Sequence, residues 1–133
     1  MTNNNQFPNS NNQSKTFDLE ERTAKFGETV IDLIKKIPGS TINKRLVEQI
    51  VGASGSIGAN YCEANESESR KDFIHKMGIA KKEIKETMHW LRLLARANEE
   101  HKDEFRLIWK EAQELLLIFS KIISSSKKKL KIN

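Results

Sequence analysis

A chain of 133 residues, 37% hydrophobic and 31% charged, can bury a single core, and with only two prolines it suits a mostly helical domain. No apolar run approaches the roughly 20 residues of a membrane span, and one cysteine excludes an internal disulfide and a cysteine zinc cluster. The net charge is +5, yet without the lysines of KKKLK (127–131) the basic and acidic groups are close to balance.

The first segment, MTNNNQFPNSNNQSK, lacks the apolar core of a secretory signal, which points to the cytoplasm. Its asparagine and serine content predicts a disordered tail over residues 1–16. A helix is predicted from Asp18 to Ile37, opened by a capping box of Asp18 and Glu21. Phe26, Val30, Leu33, Ile34 and Ile37 form its apolar stripe, and Pro38-Gly39 stops it.

The second helix, from Ser40 or Thr41 to about Ala64, contains VGASGSIGANYCEANES (51–67). Its glycines at 52, 55 and 58 lack the G-x-G-x-x-G spacing of a dinucleotide loop and the G-K-[ST] ending of a triphosphate loop. Ile42, Leu46, Val47, Ile50, Val51, Ser54, Ile57 and Tyr61 instead recur at helical spacing through the same stretch. Each interior glycine costs about 1 kcal/mol relative to alanine, and close helix packing is the usual compensation. Gly52, Gly55, Gly58 and Ala59, with Ile57 among them, therefore read as a packing or subunit face; a kink is the alternative. Asn60 is expected to bond a facing helix or subunit. Cys62, beside Glu63, reads as a small semi-buried residue and not a nucleophile, since an adjacent carboxylate raises a thiol's pKa.

A third helix, capped by Ser67, is predicted from Glu68 to Ala97, with Phe73, Met77, Ala80, Ile84, Met88, Leu91 and Ala95 inward. At 100° per residue, Lys71, Lys82, Lys85, Arg92 and Arg96 share one side, joined by Gly78 and His89, and Glu68, Asp72, Glu83 and Glu86 share another. A basic stripe about 35 Å long can follow a phosphate backbone; the same stripe can equally pair with glutamates of a neighbouring helix or subunit. The E-x-x-H of Glu86 and His89, with Asp72 and His75 on the same helix, falls short of a di-iron set, and Glu111 and Glu114 have no histidine at the needed spacing. No metal, cofactor or catalytic residue is assigned.

The last helix is predicted from Lys102 to Ser125, with Phe105, Ile108, Ala112, Leu115, Phe119 and Ile122 inward. Residues 126–133 then read as a basic tail in which Lys127, Lys128, Lys129 and Lys131 attract polyanions or merely solubilise. Four long helices with short connections make an all-α, antiparallel up-down bundle over residues 17–125. Ile79, Trp90 and Leu93, together with Leu107 and Ile118, lie off the inward stripes and suggest self-association.

FDLEERTAKFGETVIDLIKKIP, SGSIGANYCEA and SRKDFIHKMGIAKKEIKETMHWLRLL resemble the four-helix-bundle family named after intervening sequences in bacterial 23S ribosomal RNA genes, over about residues 17–123. The resemblance implies a left-handed bundle assembling as a ring-like homopentamer. A related group resembles the accessory proteins of diversity-generating retroelements, which partner a reverse transcriptase and bind RNA. The resemblance implies no catalytic residue. The expectation is a cytoplasmic, non-enzymatic oligomer that binds RNA or DNA, or a protein that handles them; the alternative is a structural or protein-interaction module.

Overall fold

The computed structural model describes residues 18–132, so the predicted N-terminal tail lies outside the described residues. Four helices make up nearly all of the described chain: α1 (Leu19–Ile34), α2 (Thr41–Asn65), α3 (Arg70–Ala97) and α4 (Lys102–Ile132). A 3₁₀ turn at Glu99–His101 joins the last two. No strand occurs among the described residues.

The helix ends follow local hydrogen bonding. Ser40 Oγ accepts from the Asn43 amide at 3.1 Å and starts α2. Ser69 Oγ accepts from the Asp72 amide at 3.0 Å, so Ser69 caps α3 and the expected cap Ser67 does not. Ser67 instead donates its hydroxyl to the Glu63 carbonyl, closing the end of α2. The capping box predicted at Asp18 is also absent: its side chain makes no cap bond, and α1 begins with Leu19 driven into the core at 0% exposure. α1 ends at Ile34, and 3₁₀-type bonds from Lys36 and Ile37 carry the chain to Pro38. α4 continues through a buried Ser126 to Ile132, so residues expected to form a loose tail are helical.

Long-range contacts set the helix directions. Arg22 meets Glu111 and Glu114, while Lys36, past the other end of α1, meets Glu104 near the start of α4, so these two helices run antiparallel. α3 packs most extensively on α2 and α4, and α1 touches α4 only sparsely. One layer of Phe26, Val30, Ile50, Ile57, Met77, Ile84, Leu91, Leu94, Phe105, Leu115 and Phe119 fills the centre. Tyr61 and Phe119 add a tilted ring contact at 5.7 Å.

Buried polar groups lock one end of the bundle. Asn43 and Asn98 exchange side-chain hydrogen bonds at 2.8 and 2.9 Å. Asn43 Nδ2 also donates to the Pro38 carbonyl, and Asn98 Nδ2 to the Leu94 carbonyl. This clasp ties the α1–α2 connection to the α3–α4 turn, with every amide hydrogen satisfied.

The glycines behave differently from the expectation. A methyl group added at Gly52 or Gly55 would meet nothing within 4 Å. Both positions, with Ala59, are exposed on the outer side of α2, which no helix among the described residues covers. The close approach is at Gly58, where an added Cβ would lie 3.0 Å from Thr23 Oγ1. Thr23 is held there by donating its hydroxyl to the Leu19 carbonyl at 2.7 Å. Ile57, expected at a subunit face, is 0% exposed and belongs to the chain's own core, in line with Ile50 and Ala64.

Candidate nucleic-acid interface

The basic residues of α3 were expected on one side by helical rotation, and Lys71, Lys82, Lys85, Arg92 and Arg96 are all exposed. None of them forms an ion pair within 4.0 Å among the described residues, whereas Lys76 on another side pairs with Asp72 at 3.6 Å. Glutamates of neighbouring helices in the chain thus leave the stripe unneutralised.

α4 adds cations that the apolar stripe had hidden. Lys102, Arg106 and Lys110 recur every fourth residue and line one open groove together with Arg92 and Arg96. The groove holds about 730 Å³ and has an apolar floor of Leu91, Ala95, Phe105 and Trp109. Glu99 is its single acidic lining residue, and Lys102 lies 3.8 Å from it. The groove exists because α3 and α4 leave the turn at Glu99–His101 as a hairpin, which holds their exposed cations beside each other. Further along the same rotation of α4 come Lys121 and Lys128, both exposed. Lys127, Lys128, Lys129 and Lys131 are exposed on the last turns of α4, at the end of the bundle where α3 begins with Lys71.

The carboxylates between α1 and α4 are paired with cations. Arg22 Nε and Nη2 grip Glu111 at 2.8 and 3.0 Å, and Nη2 reaches Glu114 at 2.7 Å. The Glu111 hydrogen bond, with Glu114 adding to it, holds the guanidinium proton more tightly than in free arginine despite partial burial. Glu104 has its carboxyl pushed below the ordinary range, first by His101, whose Nδ1 lies 2.6 Å away, and then by Lys36. On α3, burial and then repulsion from Glu86 push the Glu83 carboxyl upward. The α1–α4 seam is thus internally paired, while the α3–α4 face keeps its arginines free of ion pairs among the described residues.

The remaining sequence-singled residues fall outside this site. Asn60 donates to the Ser56 carbonyl of its own helix at 2.8 Å instead of crossing to a neighbour. Cys62 is exposed, not semi-buried. His89 is exposed and meets the Trp90 ring edge-on at 4.9 Å. Ile79 and Trp90 are half-buried, Trp90 packs on the core, and its Nε1 is buried with no hydrogen-bond partner among the described residues. Leu93 is 37% exposed. Among the described residues, no group of three or more His, Cys, Asp or Glu is placed to hold a metal ion, and no helix is long and apolar enough to cross a membrane.

Comparison with known proteins completes the description. Residues 15–121 match the family model described as 23S rRNA-intervening sequence protein. A crystal structure of a protein of unknown function from the S23 ribosomal protein family of Bacteroides thetaiotaomicron is 31% identical, with a TM-score of 0.75. That similarity covers 83% of this chain and 98% of the other. No curated protein matches.

Proposed function

This chain belongs to the 23S rRNA-intervening sequence protein family, and from that premise we propose that it is a non-enzymatic, cytoplasmic binder of nucleic acid, RNA first, acting as a homo-oligomer. The observation that carries this reading is the unneutralised basic face of α3 and α4, where Arg92 and Arg96 stand beside Arg106 and Lys110. Cations held on two packed helices keep a fixed spacing, so phosphates can displace their counterions without first ordering a loop. Base-reading elements are not needed for such binding, which follows shape and charge. Lys71 and the α4 lysines extend the same face toward the far end of the bundle.

Assembly strengthens weak phosphate contacts by raising their effective concentration. The family resemblance supplies the homopentamer, and the exposed Leu107 and Leu117, at 67% and 66%, supply apolar surface suited to a subunit contact. The same leucines favour the second reading, a protein-interaction module whose partner handles nucleic acid.

Retention of RNA on a filter across a salt series tests the proposal. Affinity should fall linearly in log–log form, with a slope of about −0.7 per phosphate neutralised on a single strand. Arg92→Ala/Arg96→Ala/Arg106→Ala should weaken binding and flatten that slope by about 2. Absence of retention at low salt refutes nucleic-acid binding and leaves the interaction module.

A further inference from the structure

We infer that the α3–α4 groove takes single-stranded nucleic acid, with a base stacked against Trp109 while Arg92, Arg96 and Arg106 hold the flanking phosphates. The inference rests on the nucleic-acid reading and narrows it to one strand state.

The groove combines a cationic rim with an apolar floor. A duplex offers a protein phosphates and groove edges, with its base faces stacked away. Cations alone suffice for such a ligand, and an apolar floor gains nothing from it. The floor here is apolar along its length, and its half-buried Trp109 is an aromatic platform ringed by cations. Single strands present exactly the complement, a charged backbone with free base faces, and aromatic stacking of those faces is tolerant of sequence. The charge of the rim fits one class of occupant: its only carboxylate, Glu99, has Lys102 as a neighbour at 3.8 Å, which leaves the arginines for an incoming anion. At about 730 Å³ the groove lies within the range of clefts that take small ligands, roughly 300–1,000 Å³, which is room for a base with its neighbouring sugar-phosphates.

The rigidity of the platform follows from packing. Trp109 is partly buried against the core, on the side of α4 it shares with the buried Phe105 four residues earlier. An indole held this way loses little freedom when a base stacks on it.

Fluorescence provides the test, because the chain has two tryptophans and one can be removed cheaply. The buried Trp90 Nε1 makes no hydrogen bond among the described residues, so Trp90→Phe keeps an aromatic ring at that position and leaves Trp109 as the only indole. Titrating the full-length Trp90→Phe protein with a short oligouridylate should quench Trp109, and an RNA duplex at equal phosphate concentration should quench it far less. In filter binding, Trp109→Leu should lose about five- to a hundredfold affinity for the single strand while duplex retention stays unchanged. Oligouridylate bound without quenching, equal loss of both ligands in Trp109→Leu, or equal quenching by poly-glutamate overturns the stacking groove. The first two outcomes leave nucleic-acid binding standing elsewhere on the surface. Failure to bind either nucleic acid overturns both readings.

Discussion

Replacing Asn98 by alanine removes one half of the amide clasp that joins the two loops at one end of the bundle. The backbone there, at φ −133° and ψ 73°, is open to alanine, so the substitution acts through hydrogen bonds and packing. Asn43 Oδ1 loses its donor, and one Asn43 Nδ2 hydrogen loses its acceptor, while the bond to the Pro38 carbonyl survives. Asn98 is 2% exposed and Asn43 3%, so water does not reach these groups freely. Each buried group left without a partner costs about 1–3 kcal/mol, so the two groups together give an expected loss of about 2–6 kcal/mol. That is a large share of the roughly 5–15 kcal/mol that holds a domain together. Urea unfolding followed by far-ultraviolet circular dichroism, at fixed protein concentration because assembly would add to stability, measures it. The double variant Asn43→Leu/Asn98→Leu removes both partners and should cost less than the sum of the single leucine changes. A loss below about 0.5 kcal/mol for Asn98→Ala would refute the clasp as a stabilising element.

Gly55→Ala should raise the melting temperature, since its added methyl meets open space and the unfolded chain loses freedom, whereas Gly58→Ala should gain less because Thr23 Oγ1 stands 3.0 Å away. A lower melting temperature for Gly55→Ala would show that a second copy covers the outer face of α2. Ile57→Asp, at a site with 0% exposure, should unfold the chain, while Leu107→Glu/Leu117→Glu should keep helicity and lower the sedimentation mass toward 15.3 kDa. The depressed Glu104 carboxyl stabilises the fold above its unfolded value of about 4.3, and that contribution is lost as pH falls through the lower folded value. Glu104→Gln should therefore flatten this part of the acid limb in a stability–pH profile. An unchanged profile would place the acid sensitivity elsewhere.

The apolar positions were the most legible part of the sequence. Phe26, Val30, Leu33, Met77, Ile84, Leu91, Phe105, Leu115 and Phe119 lie inward where a period of 3.6 puts them. Thr23, Asn43, Thr87 and Asn98 escaped because periodicity counts apolar residues only; the threonines are satisfied within their own helices, and the two asparagines by each other across the bundle end. Glycine spacing marked α2 as unusual without saying which side another helix would cover. Gly58 faces α1 through Thr23, and Gly55 faces outward, a difference set by where α1 lies. The α3 stripe is visible by rotation, whereas its partner on α4 is masked by the apolar stripe of that helix. Lys102, Arg106 and Lys110 repeat every fourth residue, and that repeat was the available signal. Their juxtaposition with Arg92 and Arg96 depends on the hairpin at Glu99–His101, which no single helix encodes.

The continuation of α4 beyond Ser126 turns its last turns into a gauge of local opening. Ser126 is the last buried position among the described side chains, and the lysines that follow keep their helix by backbone bonds and by facing the negative end of the helix dipole. Trypsin needs an extended backbone at Lys127, Lys128, Lys129 or Lys131, and a helix must fray before it can be cut. Where reclosing outpaces cleavage, the digestion rate reads the population of the frayed state. A polyanion that neutralises these side chains should slow the cutting, while neutral crowding agents at the same mass should not. Limited proteolysis of this one segment thus reports, residue by residue, how much order the charges of α4 gain from contact.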